Sequence, residues 1–78
     1  MKKKIIEYIT TQLINQENTE IAEDEDLLTS GILDSLSTMK LISFIEESFE
    51  IKVDPEDMVI ENFLDINSIE SFIVEKKS

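Results

Sequence analysis

The side chain in this sequence that is best placed for chemistry is the hydroxyl of Ser35, which lies between Asp34 and Leu36 at the predicted start of a helix. A serine at such a position most often caps the helix, and capping is the simplest role for it. Action as a catalytic nucleophile needs a neighbouring base, but the chain has no histidine and no glycine-rich elbow around the serine. The position does favour a negatively charged group on Ser35, because the positive end of the helix dipole and unpaired backbone N–H groups lie there.

The residue types that are missing from the chain restrict its chemistry further. Without cysteine it can form neither a disulfide nor a thiolate metal site, and without histidine it lacks the usual general base. The acidic run at residues 23–26 lacks the alternating ligand spacing and central glycine of a calcium-binding loop, so we interpret it as a solvated loop. The sequence therefore predicts neither a resident metal ion nor a self-contained enzyme.

Acidic residues dominate the charge of the chain. The formal net charge is −11, and residues 5–75 contain all 18 acids but only Lys40 and Lys52, a balance of −16. Such a surface repels nucleic acid and anionic lipid and suits partners with basic patches, although charge of this size also serves simply to keep a small protein in solution. We expect no nucleic-acid partner.

The N-terminus begins with three lysines followed by two isoleucines, which is similar to the start of a secretory signal. Polar residues at positions 7 and 10–12 interrupt the apolar run, and no small-residue cleavage site follows. No stretch reaches the length of a membrane span. We therefore expect a cytoplasmic protein that does not insert into membranes.

The apolar pattern predicts a single all-α domain over residues 1–78. One glycine, one proline and a hydrophobic content of 41% favour a small helical bundle. Spacing at about 100° per residue predicts three main helices and one short one, over residues 3–16, 35 to 49 or 50, 60–63 and 66–75. Asp34 and Asp65 are the expected N-caps of the second and last helices. The last helix should bury a stripe made of Ile66, Ile69 and Ile73, with Phe72 beside it.

A long acidic segment, residues 17–34, connects the first two predicted helices. Long loops are usually functional or held to the core, and we expect Leu28 and Leu33 to hold this one. Gly31 indicates a backbone position with positive φ. The segment ends at Asp34, so its anchoring decides where Ser35 lies.

The second helix has apolar residues on two faces. The core face is predicted to contain Thr38, Leu41, Ile42, Ile45 and Phe49. The opposite face contains Leu36, Met39, Lys40, Ser43, Glu47 and Glu50. Leu36 and Met39 lie next to Ser35 on a face that a simple amphipathic helix would make polar. They form either a docking patch or isolated exposed apolar residues without a role.

Residues 28–36 resemble the phosphopantetheine attachment site of acyl and peptidyl carrier proteins, in which an Asp-Ser-Leu triplet opens the second helix and the serine carries the prosthetic group. The triplet is Asp34-Ser35-Leu36, with Gly31 three residues before it. Further matches are Glu46-Glu47-Ser48-Phe49 at the end of the second helix, Val53-Asp54-Pro55-Glu56-Asp57 in the turn, and Glu61-Asn62-Phe63 before the last helix. The resemblance covers nearly the whole chain.

This resemblance implies a free-standing carrier protein with the fold of a four-helix bundle whose third helix is short. Ser35 would receive 4′-phosphopantetheine from coenzyme A through a magnesium-dependent phosphopantetheinyl transferase, and the thiol of the group would hold an acyl or aminoacyl thioester. The reactive sulfur then belongs to the cofactor and the catalysts belong to partner enzymes, which accounts for the missing cysteine and histidine.

The implied partners are the transferase, an acyl- or aminoacyl-loading enzyme, and a downstream acyltransferase or synthase, with the carrier itself a monomer. Asp34 and Leu36 complete the attachment motif around Ser35. The residues expected to dock partners are Ile32, Leu36, Met39, Lys40, Ser43 and Glu47.

Two departures from the family pattern bear on the pathway. Carriers of fatty acid synthesis commonly have acids just after the serine-leucine pair, where this chain has Ser37 and Lys40. Ile32-Leu33 and Glu61-Asn62-Phe63 look more like carriers of dedicated pathways, including peptidyl and D-alanyl types, and we favour such a pathway. The alternative function is a non-covalent acidic helical adaptor, for which Ser35 would be replaceable.

Overall fold

The computed structural model describes residues 1–14 and 20–78, and the described residues form four α-helices and no strand. Helix α1 spans Lys2–Tyr8 and continues as a π-helical turn over Ile9–Leu13. Helix α2 spans Ser35–Phe49, α3 spans Ile60–Phe63 and α4 spans Ile66–Lys77, with a 3₁₀ turn over Pro55–Asp57 before α3. The predicted all-α fold, with three main helices and one short one, is confirmed.

Side-chain caps fix where α2 and α4 begin. Oδ1 of Asp34 accepts a hydrogen bond from the backbone N–H of Ser37 at 2.8 Å, and Oδ1 of Asp65 accepts one from Ser68 at 2.7 Å. Both caps occur where the sequence predicts them. Glu50 ends α2 in a left-handed conformation with φ of 55°, and α4 runs to Lys77, two residues beyond its predicted end.

The first helix departs from a regular α-helix at Ile9. The backbone N–H of Ile14 donates to the carbonyl of Ile9, five residues back, at 2.9 Å. The hydroxyls of Thr10 and Thr11 both donate to the carbonyl oxygen of Glu7, at 3.2 and 2.7 Å. Hydroxyls in this position compete with the next turn's N–H for the same carbonyl and loosen the α-helical pattern. The predicted end of this helix, at residue 16, lies outside the described residues.

One apolar core joins all the long elements. It contains the buried residues Ile5, Ile9, Ile21, Leu27, Leu33, Leu41, Ile42, Ile45, Val53, Phe63, Ile66, Ile69, Phe72 and Ile73. The predicted stripe of α4 is among them. On α2 the predicted core face is buried at its centre, while its two ends, Thr38 and Phe49, are half-buried.

The acidic segment before α2 is held by Leu27 and Leu33, both buried. The N–H of Leu27 donates to the carbonyl of Leu64 at 2.7 Å, and the N–H of Leu33 donates to Leu27 at 2.8 Å. Leu28 is half-buried and packs against the apolar core, as predicted, whereas the burial of Leu27 was not predicted. In the tight turn that follows Leu27, Asp26 Oδ1 accepts the N–H groups of residues 28 and 29 at 3.0 Å each and so caps the chain. Gly31 has φ of +83°, as predicted.

Candidate functional site

Ser35 is the first residue of α2 and is exposed to solvent. The cap of the helix is its neighbour Asp34, which already accepts the N–H of Ser37. The capping role that is simplest for a serine near a helix start is therefore filled by another residue. Within the described part of the chain, no protein group hydrogen-bonds the Ser35 hydroxyl. Its oxygen is available to an enzyme that approaches from solvent.

The start of α2 combines a fixed negative charge with the positive end of a helix. Hydrogen bonding from Ser37 lowers the pKa of the Asp34 carboxyl from its ordinary value, so this side chain stays ionised at neutral pH. The backbone dipoles of a 15-residue helix point their positive end at the same place. A phosphodiester on Ser35 would be stabilised by the helix end and would have the Asp34 carboxylate as its neighbour.

An open apolar groove of about 490 Å³ lies beside Ser35. One wall comes from α2, with Met39 and Ile42, and the other comes from the segment Met58, Val59 and Ile60 that leads into α3. Leu28, Leu33 and Phe63 also line it. The apolar side chains at residues 39, 58, 59 and 60 are exposed to solvent, as is Leu36 next to the serine. Apolar surface gathered in this way around one reactive side chain is typical of a binding surface.

The predicted docking residues of α2 all lie on its solvent face. Leu36, Met39, Lys40, Ser43 and Glu47 are exposed, as the helical projection predicts. They are not equally near the serine, because a helix rises about 1.5 Å per residue and Glu47 is therefore about 18 Å from Ser35 along α2.

Ile32 is the exception among the predicted docking residues, because it does not lie on α2. It is half-buried in a second recess beside Asp34 and Ser37, on the far side of the helix start from the groove. The structure thus brings Leu36, Met39 and the groove together around Ser35 and leaves Ile32 outside that set.

Sequence reasoning missed the second wall of the groove. Met58, Val59 and Ile60 belong to no amphipathic pattern that marks them as surface. The signal that could have found them is a run of three apolar residues that follows a proline turn and leads into a helix of one turn, which is too short to bury all three.

Fold and site together define a small carrier domain, a helical bundle that displays one serine at the start of its longest described helix. The sequence model of the family described as "Phosphopantetheine attachment site" matches residues 3–73. The chain belongs to this family. It is a carrier protein with a 4′-phosphopantetheine prosthetic group and is not itself an enzyme, as the resemblance implied.

Three curated relatives are D-alanyl carrier proteins. The protein of Lactococcus lactis subsp. lactis (strain IL1403) is 36% identical over 77 residues, which cover 99% of this chain and 96% of the relative. That of Streptococcus suis (strain 98HAH33) is 37% identical over 73 residues, which cover 94% of this chain and 91% of the relative. The match with the Streptococcus uberis (strain ATCC BAA-854 / 0140J) protein is 45% identical over 47 residues and spans 60% of each chain.

Among solved structures, a chain in a crystal structure of an FAD-dependent dehydrogenase superposes on this one with a TM-score of 0.82. The two chains are 26% identical, and the superposition covers 90% of this chain and 99% of the other. This likeness agrees with the helical bundle described above.

The residues around Ser35 suit a phosphopantetheine group. The group joins a serine through a phosphodiester, and an exposed hydroxyl at a helix N-terminus accommodates that charge. The apolar groove beside it offers contact for the uncharged part of the arm. In residues 1–14 and 20–78, no cluster of acids could hold a metal ion, and no helix is long and apolar enough to span a bilayer.

Proposed function

We propose that Ser35 is the phosphopantetheine attachment site and that the chain carries D-alanine for a dedicated pathway. The observation that carries the first part is the position of the Ser35 hydroxyl, exposed at the start of α2 while Asp34 fills the capping role. The second part rests on the two relatives that align with more than nine-tenths of this chain, both D-alanyl carrier proteins. The presence of Ser37 and of the exposed Lys40 after the serine-leucine pair supports a pathway other than fatty acid synthesis.

The bound group supplies a thiol on which the amino acid is held as a thioester. The residues of the chain place the attachment serine and offer a surface on which partner enzymes dock. Asp34 fixes the first turn of α2, so that the Ser35 oxygen has a defined place when a transferase brings coenzyme A to it. Leu36, Met39 and the exposed groove wall give that enzyme, and the enzymes that follow, an apolar surface to dock on.

The proposed partners are a phosphopantetheinyl transferase, an adenylating enzyme that loads D-alanine, and a downstream acyltransferase. Each meets a monomeric carrier domain, residues 1–78, in the cytoplasm. The balance of −16 over residues 5–75 favours partners whose docking patches are basic, because complementary charge raises the rate of encounter.

Modification is tested by incubating the full chain with coenzyme A, magnesium and a broad-specificity phosphopantetheinyl transferase, followed by intact mass measurement. We expect one added phosphopantetheine on the wild type and on Ser37→Ala, which changes a serine two residues away without removing its backbone N–H. Ser35→Ala should remain folded and unmodified. Modification of Ser35→Ala, or a folded wild type that gains nothing, would overturn the attachment proposal and leave the non-covalent adaptor as the alternative.

Cargo is tested on the modified protein. A D-alanine adenylating enzyme with ATP should load D-alanine onto the thiol, and the product should disappear on treatment with hydroxylamine, which cleaves thioesters. L-alanine with the same enzyme is the control. Failure to load D-alanine onto a fully modified carrier contradicts the pathway but not the attachment site.

A further inference from the structure

The groove wall opposite α2 has little to hold it in place by itself. It consists of three exposed apolar residues: Met58 and Val59 follow the three-residue 3₁₀ turn Pro55–Asp57, and Ile60 is the first residue of the four-residue helix α3. Helical segments of one turn are not stable on their own in water. The exposed fraction of Ile60 reaches 69%, so burial does not fix this wall either. Its position must come from contacts elsewhere.

Those contacts converge on Asp57. Its carboxylate oxygen Oδ2 lies 2.7 Å from Nζ of Lys76 and 3.0 Å from the backbone N of Asp54. Its carbonyl oxygen accepts the side-chain amide of Asn62 at 2.7 Å and the backbone N–H of Val59 at 2.9 Å. One residue thus joins the 3₁₀ turn, the groove wall, α3 and the end of α4.

Lys76 ties this cluster to the body of the protein. Its ammonium group also lies 3.2 Å from Oδ2 of Asp54 and 6.0 Å from the ring centroid of Phe72. Phe72 packs on Phe63, which lines the groove, with ring centroids 5.6 Å apart. The side chains of Lys76 and Asp57 are only 25% and 22% exposed, so solvent screens this pair less than an ordinary surface pair. In agreement, the hydrogen bond from Lys76 lowers the pKa of Asp57, and the same bond raises the pKa of Lys76.

We propose that Asp57 is a positioning residue for partner recognition, held by Lys76 and Asn62, and that it keeps residues 58–60 in place as the second wall of the groove at Ser35. The proposal rests on the attachment of phosphopantetheine at Ser35. None of the three residues has to touch the transferase. Together, Asp57, Lys76 and Asn62 set the fraction of carrier molecules whose groove has the form that the transferase binds. When that fraction falls, the apparent dissociation constant of the carrier for the transferase rises in proportion.

The test compares Lys76→Ala with Lys77→Ala in the full chain. The two lysines are adjacent at the end of α4, and each makes a tertiary contact, but Lys77 donates to the carbonyl of Phe49 at the far end of α2. Amide hydrogen exchange by mass spectrometry reports on residues 58–63, and steady-state kinetics of the transferase report KM and kcat separately.

We expect Lys76→Ala to speed exchange in residues 58–63 and to raise KM for the carrier by about three- to tenfold, with kcat unchanged. Lys76→Arg should restore both quantities, because a guanidinium can still bridge the two carboxylates. Lys77→Ala should leave both near the wild-type values. Asn62→Ala removes the other tie to Asp57 and should act in the same direction as Lys76→Ala.

The proposal is overturned if Lys76→Ala changes neither exchange nor KM, or if Lys77→Ala changes them equally, since the effect would then follow from charge or general stability. If Lys76→Ala does not fold, the same comparison is made with Asn62→Ala, and unchanged exchange and KM there reject the proposal. If the wild-type protein is not modified at all, the result contradicts attachment at Ser35 and not the role of Asp57. Hydrogen exchange then still tests whether Lys76 holds the groove wall.

Discussion

The substitutions Leu36→Ala and Met39→Ala separate a docking patch from the core on a single helix. Leu36 is 66% exposed and Met39 is 55% exposed, whereas Leu41 on the same helix is fully buried. Full burial of a leucine contributes about 1.5–3 kcal/mol, so the third of Leu36 that is covered contributes about 0.5–1 kcal/mol, and truncation to alanine removes only part of that. We expect either change to lower the free energy of unfolding by less than about 1 kcal/mol, against about 2–5 kcal/mol for Leu41→Ala.

The same two changes should weaken docking. Apolar residues at the centre of a small interface each contribute about 1–2 kcal/mol to binding, which corresponds to a fall of about five- to thirtyfold in kcat/KM for the transferase. Urea denaturation followed by circular dichroism gives stability, and modification kinetics give kcat/KM. Val74→Ala is the control, because Val74 is an exposed apolar residue on α4 that does not line the groove.

Two results would refute this reasoning. If Leu36→Ala destabilises the protein as much as Leu41→Ala, the side chain belongs to the core. If it changes neither stability nor any transfer rate, docking occurs elsewhere, and the acidic segment before Asp34 becomes the next surface to test. Phe49→Ala is a weaker comparison than Leu41→Ala, since Phe49 is only half-buried at the end of α2.

Three further predictions concern stability, each measured by thermal or urea denaturation. With a balance of −16 over residues 5–75, the melting temperature should rise between 0.1 and 1 M sodium chloride as the Debye length falls from about 10 to about 3 Å, and a flat or falling value would show that repulsion is not limiting. Backbone and lysine hydrogen bonds lower the pKa of Asp26, Asp34 and Asp57 below the ordinary 3.8, so their contribution is complete above that pH and should be lost as the pH falls through the lower folded values. In 1 M sodium chloride, where general repulsion is screened, a melting temperature that rises below pH 3.8 contradicts this. Gly31→Ala should cost about 1–2 kcal/mol for the left-handed backbone alone, because no atom lies within 4 Å of the added methyl group, and a neutral result would contradict that strain.

Local rules account for what the sequence predicts well. The starts of α2 and α4 follow from aspartates whose carboxylates accept an N–H three residues later, and this geometry needs no tertiary information. The buried stripe of α4 and the exposed position of Leu36 follow from a period of 3.6 residues. The positive φ of Gly31 follows from its residue type and from the change of direction before the second helix.

The features that the sequence did not predict occur where a side-chain hydrogen bond or a contact with a distant element determines the backbone conformation. Nothing in an apolar pattern indicates that Thr10 and Thr11 hydroxyls share one carbonyl and loosen the first helix. The burial of Leu27 was not predicted, because it depends on a hydrogen bond to Leu64 in a distant part of the chain. The groove wall was missed because the ion pairs of Lys76 that hold it are not local: Lys76 is 22 positions from Asp54 and 19 positions from Asp57.

The two sides of Ser35 are anchored to the same part of the molecule. On one side, the acidic segment that ends at Asp34 is bonded to the α3–α4 region through Leu27 and Leu64, and through the N–H of Asn67 and the carbonyl of Glu23 at 3.1 Å. On the other side, Asp57 ties the groove wall to Lys76 on α4. The segment that leads to the serine and the groove wall are therefore both tied to the part of the molecule that contains α4. An arm attached at Ser35 leaves from one rigid frame, and the enzymes that load and unload it can recognise that frame while the cargo itself changes.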